Sequence, residues 1–156
     1  MALEIEHKFL VTSTIFRSLA EPVRYRQGYL SILKGKTIRV RIAGARGFIT
    51  VKARVSNLIR KEFEYEIPLN DAEEMLSELC NGRIIEKLRY RVPYQGFYWE
   101  VDEFLGENAG LITAEIEVTS ENQSFIKPEW VGVEVTNKTE YLNSSLSTNP
   151  FNGWNK

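Results

Sequence analysis

Polar and apolar residues alternate with a period of two along most of this chain. Residues 3–11 set Glu4, Glu6 and Lys8 against Ile5, Phe9 and Val11, and in an extended strand those two sets face opposite ways. The pattern recurs with Arg39 and Arg41 against Ile38, Val40 and Ile42, and with Lys52 and Arg54 against Val51, Ala53 and Val55. Glu62, Glu64 and Glu66 oppose Phe63, Tyr65 and Ile67, while Lys87, Arg89 and Arg91 oppose Leu88, Tyr90 and Val92. Glu100 and Asp102 oppose Trp99 and Val101, and Glu115 and Glu117 oppose Ala114, Ile116 and Val118. Strands are predicted at 3–11, 27–34, 37–43, 48–55, 60–67, 84–92, 97–104 and 112–119, with a short one at 133–136. Gly35, Gly47, Gly96 and Gly106 mark the turns between them. Short helices are predicted at 14–20, from Asn70 or Asp71 to about Cys80, at 122–126 and at 139–146. Strands that follow one another through short turns favour a mainly β (α+β) architecture. The expected fold is a closed antiparallel eight-stranded β-barrel with a charged interior and a few flanking short helices.

Composition narrows the classes. A chain of 156 residues suits one domain, placed at 1–147, with 148–156 (Pro150, Asn152, Gly153, Asn155) read as a mobile tail. The net charge of -1 gives no global basic field, so no nucleic-acid partner is expected. Cys80 is the single cysteine, which excludes an intramolecular disulfide, and its apolar surroundings (Met75, Leu76, Leu79) mark it as a small core residue. No apolar run of about 18 residues occurs and the start is not basic-then-apolar, so no membrane partner is expected and the chain reads as cytoplasmic.

The charged faces carry the chemistry. A single wet face on an antiparallel sheet is ordinary. Here, however, the charged positions are nearly free of Ser, Thr, Asn and Gln, and the strands segregate by sign: 39–41, 52–54 and 87–91 are basic, 62–66, 100–102 and 115–117 acidic. Like charges about 4 Å apart repel by roughly 1 kcal/mol in water and about 4 kcal/mol at an effective dielectric near 20. Such runs are unfavourable unless opposite charges or a ligand compensate them. Turned inward, they would line a wet tunnel, with the apolar outer face covered by helices and by a partner subunit, which makes a homodimer a candidate assembly. Clustered Lys and Arg match an oligophosphate. The acidic rows then imply a bridging hard divalent cation, with Glu4, Glu6, Glu115 and Glu117 as its natural ligands. The implied chemistry is phosphoryl transfer.

The ordered series Glu4-Ile-Glu-His-Lys-Phe-Leu10, Gln27-Gly-Tyr-Leu30, Arg39-Val-Arg-Ile42, Glu62-Phe-Glu-Tyr-Glu-Ile-Pro68, Glu86-Lys-Leu-Arg-Tyr90, Trp99-Glu-Val-Asp102 and Glu115-Ile-Glu117 resembles the CYTH superfamily, the triphosphate tunnel metalloenzymes, and its short bacterial members in particular. The resemblance implies an eight-stranded tunnel. Its triphosphate would be bound by basic residues (Arg39, Arg41, Lys52, Arg54, Lys87, Arg89) and its metal, Mg²⁺ or Mn²⁺, by the four glutamates, with Glu62, Glu64 and Asp102 as supporting acids. It further implies hydrolysis of inorganic tripolyphosphate to pyrophosphate and phosphate, with Lys8 and Tyr29 as the pair that activates water. A nearby ammonium would favour the phenolate or orient the hydroxyl as a base. The superfamily's other activities remain open: nucleoside or thiamine triphosphatase, class IV adenylate cyclase, or a non-catalytic polyphosphate-binding module. Two positions depart from the family pattern. His7 stands where Lys or Arg is common but falls on the outward face, and Glu140 stands where relatives often carry an arginine, with Lys138 as a substitute. Trp130, Phe151 and Trp154 are expected to be packing groups.

Overall fold

The structure, a computed structural model, describes residues 3–154. Nine strands run β1 (Leu3–Val11), β2 (Val23–Leu33), β3 (Lys36–Ala43), β4 (Arg46–Arg54), β5 (Ile59–Ile67), β6 (Asn81–Tyr94), β7 (Phe97–Phe104), β8 (Ile112–Val118) and β9 (Val131–Glu134). Helix α1 (Leu69–Glu78) follows β5 and the short α2 (Asn143–Leu146) follows β9, with single 3₁₀ turns at 15–18, 106–108, 139–141 and 151–153. The strands form one antiparallel sheet in the order β5-β4-β3-β2-β6-β7-β8-β1-β9, and an extra β5–β1 pairing closes the first eight into a barrel. One edge of β1 pairs with β8 from Ile5 to Leu10. Its other edge is shared, Leu3–Ile5 going to β5 and Phe9–Val11 to β9.

The alternation dictates what lies where. Outward residues of β1, β6, β7 and β8 (Phe9, Tyr90, Val92, Trp99, Val101, Ala114, Ile116) pack with Phe16 of the first 3₁₀ turn and with Trp130. Helix α1 lays Ala72 and Leu76 on Val40 and Ile42 of β3. Gly28 of β2 lies under the end of this helix, where a Cβ would stand 2.6 Å from the Cys80 sulfur, so no larger residue fits without displacement. Val51, Phe63 and Tyr65, on the outer face of β4 and β5, stay exposed.

A third apolar cluster fills one end of the barrel. Leu10, Ile85 and Phe104 continue the inward rows of Lys8, Lys87 and Asp102, and they pack with Leu111 and Leu146, with Tyr141, Phe151 and Trp154 against them. The interior is therefore a cup, charged toward its mouth and sealed with apolar side chains at its floor. Residues 147–154 dock at this sealed end: Phe151 N–H donates to Asn108 Oδ1 at 2.9 Å, and the Trp154 indole donates to the Asn149 carbonyl at 3.0 Å.

Several boundaries differ from the sequence expectation. Strand β2 begins directly after Pro22, four residues early, because Arg24 and Arg26 find outer-face partners in Glu86 and Glu73. Residues 122–126 are not helical: Gln123 Oε1 accepts from the Thr119 N–H and hydroxyl, which holds the chain in a turn and carries Phe125 onto Trp99. The expected helix 139–146 splits into the 139–141 turn and α2, with Leu142 extended between them. Among the described residues, no helix is long and apolar enough to cross a membrane.

Candidate active site

The inward rows of the strands enclose a cavity of about 380 Å³ at the open end of the cup. Register sets which charges meet. Lys8 is opposite Glu115 and Glu6 opposite Glu117, Lys52 is opposite Glu62, and Arg89 is opposite Asp102. Tyr29 is opposite Arg39, and the pairing of β2 shifts register beside Tyr29 with both of its neighbours, an irregularity of the kind that re-aims a side chain.

All the sequence-named site residues line this cavity except Asp102. That carboxylate lies buried behind it, 1 % exposed, accepting two bonds from Arg89 at 2.7 and 2.9 Å and standing 2.8 Å from Lys87 Nζ. Burial first raises the Asp102 carboxyl, but Arg89 and Lys87 outweigh it and hold it below the usual carboxylate range. Arg89 also reaches Glu100 at 3.5 Å and Glu115 at 3.4 Å, whereas the fully buried Lys87 shares Asp102 with it. Arg89 stays charged, so Lys87 gives way: burial, with repulsion from Arg89, lowers its pKa to about 7.

A second basic group is less well compensated. Arg39 and Arg41 both reach Glu64 Oε2, at 3.4 and 3.1 Å, and Thr50 donates to the same oxygen at 2.7 Å. The Nε atoms of both arginines are buried without a partner among the described residues. Burial and the neighbouring Arg39 and Arg89 charges lower the Arg41 guanidinium to about 10. This is a concentration of donors with too few acceptors, the electrostatic signature of an anion seat.

The acidic wall is undercompensated in the opposite sense. Glu6 is buried beside Glu115, and desolvation followed by the Glu115 charge pushes its carboxyl well above the usual range. Burial also raises Glu115, but the Lys8 ammonium, a hydrogen bond from Glu6 and the Arg89 charge hold it well below. The two adjoining carboxyls are thus pushed in opposite directions across the hydrogen bond that joins them. Burial and the nearby Glu62 and Glu100 charges raise Glu117 as well. Glu4 and Glu62 flank Lys52 Nζ at 3.1 and 3.2 Å. As their side chains are placed, no three His, Cys, Asp or Glu residues among those described form a ready metal cluster. The donor chemistry nevertheless fits a hard divalent ion: all-oxygen, anionic, partly buried, with Lys52 on Glu4 and with Lys8 and Arg89 on Glu115 as the cations that pair with it.

Lys8 and Tyr29 share the cavity without a direct bond between them among the described residues. Lys8 is held by the segment after β9: its N–H donates to Thr136 Oγ1 at 3.0 Å, its carbonyl accepts from the Val135 N–H at 2.8 Å, and its Nζ donates to the Tyr141 carbonyl at 3.1 Å. The Tyr29 hydroxyl accepts from Gln27 Nε2 at 3.3 Å.

Sequence reasoning passed over several cavity residues. Tyr25, Thr50 and Arg60 belong to inward rows that strict alternation extends to them, as does Gln27, buried outside the cavity lining, and Tyr25 carries Arg41 and Arg89 over its ring at 4.9 and 4.8 Å. Thr136 comes from irregular chain and Asn143 from the first position of the four-residue α2, both too short of regular structure for a period to mark them. Lys138 lines the cavity and Glu140 does not. His7 sits outside the barrel, bonded to Glu134 at 2.6 Å and packed on Phe9 and Phe125, as its outward register requires. Trp130, Phe151 and Trp154 are packing groups.

A closed antiparallel barrel whose inward rows place basic and acidic walls across one wet cup defines the class of the triphosphate-tunnel proteins. The CYTH domain matches residues 2–149, and the chain belongs to that family. It is similar to an inorganic triphosphatase of Acetivibrio thermocellus, 52% identical over 151 residues and 97% of each chain. It is also similar to an inorganic triphosphatase of Nitrosomonas europaea, 38% identical over 92% of this chain and 96% of that one. The solved structure of the inorganic triphosphatase NE1496 superposes with a TM-score of 0.68 at 36% identity, covering 94% of this chain and 95% of the other.

Proposed function

We propose that this chain is a metal-dependent inorganic triphosphatase that hydrolyses tripolyphosphate to pyrophosphate and phosphate. The observation that carries the reading is the cup itself, where donors in excess of acceptors on one wall face carboxylates in excess of cations on the other. Arg39, Arg41, Lys52, Arg54, Lys87 and Arg89 bind the phosphate oxygens, the arginines through bidentate forks. Glu62, Glu64 and Asp102 hold those cations in place. Glu4, Glu6, Glu115 and Glu117 would hold Mg²⁺ or Mn²⁺, for which Glu6 gives up its hydrogen bond to Glu115 and Glu4 its bond to Lys52. When bound, the metal supplies charge neutralisation on the phosphate oxygens. Tyr29 and Lys8, which share the cavity, orient the attacking water toward the phosphorus. The product is anionic at both ends, so the same cations that seat the substrate oppose build-up of charge during cleavage.

A substrate panel tests this. Tripolyphosphate, ATP and thiamine triphosphate are incubated with Mg²⁺ or Mn²⁺ and with chelator, and products are identified. Metal-dependent release of equal amounts of pyrophosphate and phosphate from tripolyphosphate is expected. Cyclic AMP from ATP with tripolyphosphate untouched would overturn the reading.

A further inference from the structure

The segment after β9 lines part of the cup, and Asn143 at the start of α2 is its residue bonded to both Lys87 and Gln27. Its Oδ1 accepts from Lys87 Nζ at 3.0 Å and from Gln27 Nε2 at 3.1 Å. Gln27 is fully buried on β2, and its Nε2 also donates to the Tyr29 hydroxyl at 3.3 Å. The direction of every bond in this chain follows from its first member. An ammonium can only donate, so Asn143 turns its oxygen, not its amide nitrogen, toward Lys87. That oxygen requires a donor from Gln27. Gln27 therefore presents its NH₂ group to Asn143 and to Tyr29 alike, the phenol oxygen accepts, and the Tyr29 proton points away from Gln27. Flipping either amide would set two donors or two acceptors face to face.

Packing alone does not account for a glutamine here. Its Oε1 is buried with no partner among the described residues, a cost that leucine or methionine in the same space would not carry. The backbone around it is also fixed, by the close seat of Gly28 under Cys80 and by the register shifts beside Tyr29.

We propose that Gln27 and Asn143 are positioning residues that hold Tyr29 for catalysis, with its oxygen accepting from Gln27 and its remaining hydroxyl valence directed to the attacking water. The proposal rests on the reading of Tyr29 as the group that handles that water. It also makes the segment after β9 part of the active site on both sides, since the same segment holds Lys8 through Thr136 and Tyr141.

Kinetics on tripolyphosphate test it. Gln27→Leu should lower kcat about tenfold or more, since small misplacements of a reacting group are costly, with KM within about twofold of wild type and no loss of thermal stability. Gln27→Glu keeps the size but, when ionised, cannot donate; it should lose kcat similarly and decides the matter should the leucine variant not fold. Asn143→Asp retains an oxygen for both donors and should keep most turnover, whereas Asn143→Leu should not. Because Gln27 acts through Tyr29, the double variant Gln27→Leu/Tyr29→Phe should be no slower than Tyr29→Phe alone. Wild-type kcat in Gln27→Leu and Gln27→Glu, or losses that multiply in the double variant, would overturn the positioning role. Full turnover in Tyr29→Phe would instead overturn the reading of Tyr29 itself.

Discussion

Lys87 and Arg89 on one side of the cup, and Arg39 and Arg41 on another, differ in how far the protein satisfies them. The first pair closes on Asp102, a carboxylate 1 % exposed, with Asn143 completing the shell of Lys87. The second pair shares a single oxygen of Glu64, a side chain 30 % exposed, and leaves both Nε atoms without partners among the described residues. Equal charges thus serve unequal ends. The Lys87–Asp102–Arg89 group is a structural knot that also faces substrate, while Arg39 and Arg41 are held open for an anion. The difference shows how a fold keeps a concentrated charge site stable: one cluster is compensated internally, and the next is left short of acceptors.

The comparison is broken most severely at Asp102. Asp102→Ala takes from the buried Lys87 its carboxylate partner and leaves Arg89 only the longer contacts to Glu100 and Glu115, and is expected to cost about 3–5 kcal/mol, read by urea denaturation. A variant as stable as wild type would deny the knot its structural role. Next in size, Lys8→Ala and Tyr29→Phe are expected to lower turnover by about 10²–10⁴-fold, with the tyrosine variant keeping its affinity for tripolyphosphate in a calorimetric titration. Arg39→Ala and Arg41→Ala should each reduce kcat/KM by about 10–100-fold, the worth of a hydrogen bond to a charged group. Neither should lower the melting temperature, because each removes a cation that repels its neighbour. Instability in these variants would erase the distinction between the two pairs.

A smaller effect sharpens it. The Lys87 pKa is lowered by burial to about 7, so its ammonium is present below that pH and lost above it. A phosphate ligand favours the charged form. KM for tripolyphosphate should therefore rise between pH 7 and about pH 9, and in Lys87→Met that rise should be absent although KM is higher throughout. The same group binds more protons unfolded than folded across this range, so the stability of the free protein should rise with pH in wild type. A KM that climbs equally in both proteins would place the titration elsewhere.

The barrel was legible because a period of two is hard to mistake when one face is charged and the other apolar. Glu4, Glu6 and Lys8 pointed inward for the same reason that Ile5 and Phe9 pointed outward, and each further row followed. Parity also held Thr50 and Arg60, which extend the rows of Lys52 and Glu62 by one step. The sealed floor was not legible. Leu10, Ile85 and Phe104 continue charged rows with apolar residues, and nothing in a linear pattern tells whether such a residue ends a strand or plugs a barrel. Asn143 and Thr136 were invisible for a different reason. They lie in a loop and in a four-residue helix more than a hundred residues from Lys8 and Gln27, and only closure of the barrel brings them together.

The central claim is that the undercompensated arginines and the clustered glutamates form one seat for a triphosphate and its metal. Calorimetric titration of the Tyr29→Phe protein with tripolyphosphate, with and without Mg²⁺, addresses it most directly. The account predicts one triphosphate per chain, tighter binding in the presence of metal, and loss of that binding when Arg39 and Arg41 are both replaced by alanine. Equal affinity with the arginines removed, or no response to metal, would contradict it.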